Sequence, residues 1–289
     1  MTAPNDKRQM PYGESTAIKD PAAVAVIANV VPNFEVDRTT EFCTAYKEWI
    51  QTTALNKING IDKFPYACYS NGTTEAFDKF YIKNRTRRFR CFKGEYVYHR
   101  LVWRNSWPDW KWLDDDGLES NDAVVISLPF SDTGNKHSLH DALLEQCTRL
   151  GVPVLIDCAY FGICSNLEFN FNQPCITDIT FSLSKVFPVA HARIGMRLTK
   201  EDDDDSLFVV NKIGYTNRYG AQLGLELIKQ FGPDYIADKY RDRQVSICNE
   251  LNVQPSKTIL FGIGGQEWQQ YNRGTRTNRL SFNRVLNES

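Results

Sequence analysis

From residue 122 onward the chain alternates short apolar runs with amphipathic stretches. Ala123-Val124-Val125-Ile126-Ser127-Leu128 reads as a buried strand. Leu139, Leu143, Leu144, Cys147 and Leu150 recur at helical spacing, and Gly151 follows as a left-handed stop, so a helix is expected there. Val152-Pro153-Val154-Leu155-Ile156-Asp157 predicts the next strand, and Ile179–Leu183 and Ile194–Leu198 predict two more. Strands that are apolar throughout, separated by a helix, imply an α/β fold with a mostly parallel sheet and helices on both faces.

The flanking regions are less regular. Phe42, Tyr46, Trp49 and Ile50 place a helix over Arg38–Thr52, and a turn at Gly72 feeds an apolar-periodic helix that runs to Tyr81. Arg88 to Tyr96 alternates in the manner of a strand. Beyond the acidic loop Asp202–Asp205, Gly220–Phe231 and Tyr235–Leu251 read as helices, and Thr258–Phe261 and Arg279–Phe282 as strands. Prolines at 4, 11, 21 and 32 make the first 35 residues read as an irregular arm. The expected division is an N-terminal arm (1–37), a large domain (38–205), and C-terminal helices with a reduced small domain (206–289).

Bulk composition narrows the function classes without choosing one. A chain of 289 residues can form a large domain with a smaller partner. A net charge of −1 gives no reason to expect nucleic acid or an anionic membrane as partner. The eight cysteines show no CxxC pair and no zinc-type cluster; Cys91, Cys158, Cys164 and Cys175 lie in or beside apolar segments, where cysteine behaves as a small buried hydrophobe. No apolar run approaches the ~18 residues that span a bilayer, and the opening residues lack the apolar core of a signal peptide. The expected setting is reducing and cytoplasmic.

The candidate chemistry sits at strand ends. In parallel sheets ligands bind beyond the carboxyl ends of the strands, and Ser131, Asp157 and Lys185 all fall at or just past such ends. Burial disfavours an ammonium group, so an amine at a buried strand end suits a Schiff base with an aldehyde cofactor. Ser182, three residues before Lys185, and Arg193, eight after it, offer a hydroxyl and a guanidinium to a phosphate on that cofactor. Gly72-Thr73-Thr74 opens a helix, where free backbone amides and the helix dipole hold anions, although an ordinary threonine cap assisted by Glu75 explains the same residues. Asp157 could keep a pyridine nitrogen protonated or cap the following helix, and Tyr160 could donate to a phenolate oxygen.

In their order, these segments resemble the fold-type I pyridoxal-phosphate enzymes, specifically the class I/II aminotransferases. Asp157-x-Ala159-Tyr160 is similar to the family's pyridinium and phenolate pair, and Ser182-x-x-Lys185 with Arg193-Ile194-Gly195 to its lysine segment. Asn71-Gly72-Thr73-Thr74-Glu75-Ala76 resembles its phosphate loop, and Tyr98 lies near its cofactor-stacking aromatic position. Asn278-Arg279-Leu280-Ser281-Phe282 is similar to the strand whose arginine holds the substrate carboxylate, with Arg276 or Arg284 as the alternatives if Arg279 is structural. The resemblance implies a seven-stranded sheet, pyridoxal 5'-phosphate as cofactor, amino-acid and 2-oxo-acid substrates, a homodimer, and catalysis by Lys185, Asp157 and Tyr160.

Two departures accompany it. Pro129-Phe130-Ser131-Asp132-Thr133-Gly134 stands where the family has Pro-x-Asn-Pro-Thr-Gly, so Ser131 replaces the asparagine that donates to the cofactor. The stretch from Lys185 to Arg279 is also short for a full small domain. Three other functions compete with transamination: a lyase, decarboxylase or synthase on the same fold; a cofactor-binding protein without turnover; and metal binding by His137, His140 and Asp141. Tyr96, His99, Trp103, Trp107 and Trp110 suit an aromatic pocket or a dimer contact.

Overall fold

The strands whose apolar runs are continuous form the centre of a seven-stranded sheet. The computed structural model describes residues 10–106, 109–202 and 204–287. In chain order, α1 (Pro21–Asn29) and α2 (Thr39–Gln51) lead to β1 (Lys57–Asn59), β2 (Tyr66–Asn71) and α3 (Thr73–Lys83). Then come β3 (Arg88–Cys91), α4 (Val97–Ser106), β4 (Trp110–Trp112), β5 (Asp122–Ser127), α5 (His140–Leu150) and β6 (Val154–Cys158). These are followed by β7 (Glu168–Asn170), β8 (Ile176–Ser182), β9 (Ile194–Thr199), α6 (Ser206–Lys212), α7 (Arg218–Gln230) and α8 (Tyr235–Glu250). The chain closes with β10 (Gln254–Pro255), β11 (Phe261–Gly264), β12 (Asn278–Ser281) and α9 (Asn283–Asn287).

The large sheet has the order β2-β9-β8-β6-β5-β3-β4. Only β9 runs against its neighbours; the β8–β6, β6–β5, β5–β3 and β3–β4 pairs are all parallel. Successive side chains on β5 enter different cores: Val124 and Ile126 join the large cluster built on Phe42, Tyr46 and Phe181, whereas Ala123 and Val125 join Phe77, Phe80 and Tyr81 of α3. Both faces are therefore dry, which is why these strands are apolar at every position rather than at every second one. Each fully buried aromatic or aliphatic side chain here contributes roughly 1.5–3 kcal/mol through its removal from water.

Three local readings are corrected by the structure. The N-terminal segment is not irregular throughout, because α1 spans nine of its residues. Its start has a cap: Asp20 accepts from the amide of Ala23 at 3.0 Å, and Pro21 opens the helix where a missing N–H costs nothing. The strand expected from Arg88 to Tyr96 ends at Cys91, because Gly94 at φ +95° turns the chain into α4. The strand expected over Thr258–Phe261 begins instead at Phe261 and pairs with β12 in a three-stranded antiparallel sheet of β10, β11 and β12.

Residues 10–20 fold back onto this small sheet. Ser281 donates its amide to the Tyr12 carbonyl at 2.8 Å, and Thr16 meets Asn283 at 2.8 Å. Asp20, fully buried, is bonded by Lys239 (2.5 Å) and Tyr240 (2.9 Å) of α8. A buried carboxylate needs such partners, and they fix the N-terminal segment against the C-terminal helices. All eight cysteines are free and buried. No helix among the described residues is long and apolar enough to cross a membrane.

Candidate active site

The carboxyl ends of β2, β5, β6 and β8 point the same way, and the N-terminus of α3 lies beside them. A cavity of about 290 Å³ opens there. Its wall brings together Thr73, Thr74, Ser131, Asp157, Tyr160 and Ser182 from sites far apart in the sequence. Lys185, Arg193 and Arg279 complete the same wall. Gly72 lies one residue outside this lining, and Tyr98 is also outside it.

Asp157, one residue before the end of β6, stands directly opposite Ser127 of β5, so both side chains leave the sheet on the α3 side. Its carboxylate is buried and accepts one backbone bond, from Ala159 at 3.0 Å, with no cation in contact among the described residues. Burial, reinforced by the neighbouring Glu95, pushes its pKa up to about 8. Glu95 is itself buried and is bonded by the amide of Ser127 (2.7 Å) and by its hydroxyl; burial raises Glu95 to about 7. Nothing in the local sequence marks Glu95, since only the β5–β6 pairing carries Ser127 to Asp157.

The opposite end of the cavity is built for an anion. Gly72 precedes α3 with φ +74° and ψ −177° and offers no side-chain cap, so the first-turn amides have no side-chain acceptor at the cap position. A Cβ at Gly72 would overlap the Arg193 guanidinium, and one at Gly195 would stand 2.9 Å from the Gly72 backbone. Arg193 holds the left-handed conformation (φ 55°) and donates to Asn71 O at 2.9 Å and Thr74 Oγ1 at 3.0 Å. A non-glycine residue held in that region costs of the order of 1–3 kcal/mol, and here the guanidinium reaches Asn71 O and Thr74 Oγ1 at the start of α3. Ser182 Oγ donates to the Ile194 carbonyl at 3.1 Å and lies 2.9 Å from Ser184 Oγ.

Between these ends lies the amine of Lys185, which donates to the Ser15 carbonyl. Burial raises the Tyr160 phenol, but the charges of Arg279, Lys185 and Arg273 outweigh it and hold the group below its ordinary value. Arg279 is buried over the Phe261 ring at 4.1 Å and donates to Ser131 O (2.5 Å) and Ser15 Oγ (3.1 Å). Its Nε is buried without a partner among the described residues. Arg276 does not line this cavity, and Arg284 faces Glu14 at 3.3 Å. At Ser131 it is the backbone carbonyl that both Arg279 and Arg273 (2.9 Å) engage.

Other sequence candidates lie elsewhere. Tyr98 donates to Asp78 at 2.8 Å, and it is Tyr96, two residues earlier, that lines the cavity. His99 is buried against the Tyr81 hydroxyl, Trp110 packs on Trp112, and the side chains of Trp103 and Trp107 lie outside the described residues. His137 stacks on Phe92 at 3.9 Å, and His140 is buried beside Asp141. Among the described residues, no group of three or more His, Cys, Asp or Glu could hold a metal ion. Ser15, Thr16 and Arg273 line the cavity without any motif that announces them, and Tyr96, one of the aromatics named above for a pocket or a dimer contact, lines it as well.

The donor set fits pyridoxal 5'-phosphate. A buried carboxylate lacking a cation suits a protonated ring nitrogen, and the glycine-lined cradle before α3 suits a phosphate. No protein-family model matches the chain, and no curated protein is similar to it in sequence. Solved structures resemble it in fold. Alanine aminotransferase from Pyrococcus furiosus superposes with a TM-score of 0.67 at 13% identity, over 96% of this chain and 89% of that one. A pyridoxal-phosphate-bound C-S lyase from Staphylococcus hominis gives 0.66 at 10% identity, over 95% and 88%. L-threonine-O-3-phosphate decarboxylase from Porphyromonas gingivalis gives 0.63 at 12% identity, over 94% and 97%. The fold is that of the fold-type I pyridoxal-phosphate enzymes.

Proposed function

We propose that the chain is a pyridoxal-phosphate-dependent aminotransferase acting on an amino acid and a 2-oxo acid. The observation that carries this reading is the meeting of Lys185, Asp157, Tyr160, Arg193 and Arg279 in one cavity at the carboxyl ends of parallel strands. When bound, the cofactor supplies an electrophilic carbonyl and a ring that draws electrons from the substrate α-carbon. The protein's residues divide the remaining work. Thr73, Thr74, Ser182, Arg193 and the first amides of α3 hold the phosphate; Asp157 holds the proton on the ring nitrogen; Tyr160 donates to the ring oxygen. Lys185 Nζ would hold the cofactor's carbonyl carbon and is the base that would move the proton at the substrate α-carbon. Arg279 orients the substrate through a bidentate contact with its carboxylate.

A homodimer in the cytoplasm is part of the proposal. Val31 (78% exposed), Phe34, Ile213 and Tyr215 (79%) leave apolar surface exposed where Arg218 ties the 31–36 segment to α7. Light scattering should then give a mass near twice 33.2 kDa. The eight free cysteines support a reducing compartment.

The test is direct. Protein loaded with pyridoxal phosphate and reduced with borohydride should carry a covalent tag on Lys185 in a peptide map. A tag on another lysine, or none, refutes the reading. Transfer of nitrogen from an amino acid to a 2-oxo acid identifies the aminotransferase, whereas carbon dioxide or thiol release without transfer identifies the lyase or decarboxylase chemistry of the alternative.

A further inference from the structure

Glu95 is a buried acid that the proposed reaction does not use. It is 6% exposed and lies on the loop between β3 and α4. One residue takes both of its oxygens: the Ser127 amide donates to Oε1 at 2.7 Å, and the Ser127 hydroxyl donates to Oε2. Two donors on one carboxylate hold it as an acceptor, which favours the ionised form against the cost of burial. Ser127 in turn stands in register with Asp157 on the neighbouring strand, one strand spacing of about 4.8 Å away.

Two buried carboxylates therefore share one corner of the site, and neither is bonded to a cation among the described residues. The groups facing Glu95 are Cys91 of β3, Asp157 of β6 and Arg273, whose charge acts on it without a bond. Those facing Asp157 are Lys185, Cys158 and the phenols of Tyr81, Tyr96 and Tyr160. Buried acids are stabilised when a cation stands among them. On the reading above, the group that arrives beside Asp157 is the cofactor's ring nitrogen.

We infer that Glu95 is a positioning residue that acts through Asp157, its carboxylate supplying the second negative charge that keeps the proton on the ring nitrogen. This rests on the place of Asp157 beside that nitrogen, and it holds for transamination, lyase and decarboxylase chemistry alike. The competing role is mechanical: Glu95 would only anchor the turn at Gly94 to the end of β5.

Titration calorimetry on the cofactor-free protein separates charge from anchoring. The probes are pyridoxal 5'-phosphate and its 1-deaza analogue, in which CH replaces the ring nitrogen. At pH 8 wild-type protein should prefer the nitrogen ring. Glu95→Gln should cut that preference about tenfold to a hundredfold, the size of one charge acting over ~7 Å at a partly buried site. Lost anchoring alone would weaken both rings by the same factor, and an unchanged preference overturns the inference. Glu95→Ala is read in the same way where the glutamine variant does not fold. A cation near Glu95 lowers its pKa below the cofactor-free value of about 7, so its contribution is present above that value and fades as pH falls. The gap between wild type and Glu95→Gln should narrow from pH 8 to pH 5.5, and a constant gap also refutes the inference. A Lys185 tag with a preference that Glu95→Gln leaves intact sinks the inference alone. A preference that depends on Glu95 in protein without the tag sinks the aminotransferase reading alone, and protein that binds neither ring overturns both.

Discussion

Replacing Asp157 by asparagine should stabilise the cofactor-free protein at neutral pH while removing its ability to serve the cofactor. The buried carboxyl titrates at about 8 in the fold against 3.8 when unperturbed. Between those limits the folded chain keeps a proton that the unfolded chain releases, so stability falls as pH rises from near 4 toward 8. At about 1.4 kcal/mol per pH unit, the cost reaches roughly 4 kcal/mol at pH 7. Asparagine does not titrate and is free of this cost. It places an amide in the same buried setting, where an unpaired donor gives back roughly 1–3 kcal/mol. The variant should therefore gain about 2 kcal/mol at pH 7, with the difference reversing to a loss of roughly 1–3 kcal/mol near pH 4.

Urea denaturation of both cofactor-free proteins from pH 4 to pH 8 measures this. The decisive quantity is the slope of the stability difference against pH rather than its value at one pH. A flat difference would show that Asp157 has an ordinary carboxylate pKa in the fold, and the fit of a cationic ring nitrogen would lose its basis. Loading wild-type protein with cofactor should reduce the pH slope, because a protonated nitrogen offers the carboxylate the partner that Ala159 alone does not provide. Glu95→Gln should reduce it too, since the second buried carboxyl reinforces the shift.

Gly72→Ala forces a side chain into the φ +74° conformation and against Arg193; a loss of roughly 1–3 kcal/mol in stability and weaker cofactor affinity are expected, and unchanged melting and titration curves would refute the cradle. Tyr96→Ala should weaken cofactor binding about fivefold, the worth of roughly 1 kcal/mol of aromatic contact, whereas Tyr98→Phe should leave it unchanged and affect only the bond to Asp78. The reverse pattern in fluorescence titrations would return the stacking role to Tyr98.

What could be read along the chain follows from which forces act locally. The strand ends that carry Asp157 and Lys185 are legible because burial on both faces leaves unbroken apolar runs, and a polar residue that ends such a run marks its own position. Tyr96 and Tyr98 are not separable this way: both follow an alternating stretch, and the turn at Gly94 that decides which ring faces the cavity is a backbone event without periodicity. The α1 helix is hidden for a related reason, since Asp20-Pro21 serves equally as a turn or as a cap followed by a first helical residue. Its choice is made by Lys239 and Tyr240, more than 200 positions away, which bond the same aspartate. Glu95 and Arg273 belong to the same class of hidden residue. Both lie in loops: Arg273 lines the cavity, and Glu95 bonds Ser127, which the β5–β6 pairing sets opposite Asp157. A motif thus locates residues at the ends of buried strands, whereas residues that loops contribute are placed only by the assembled fold.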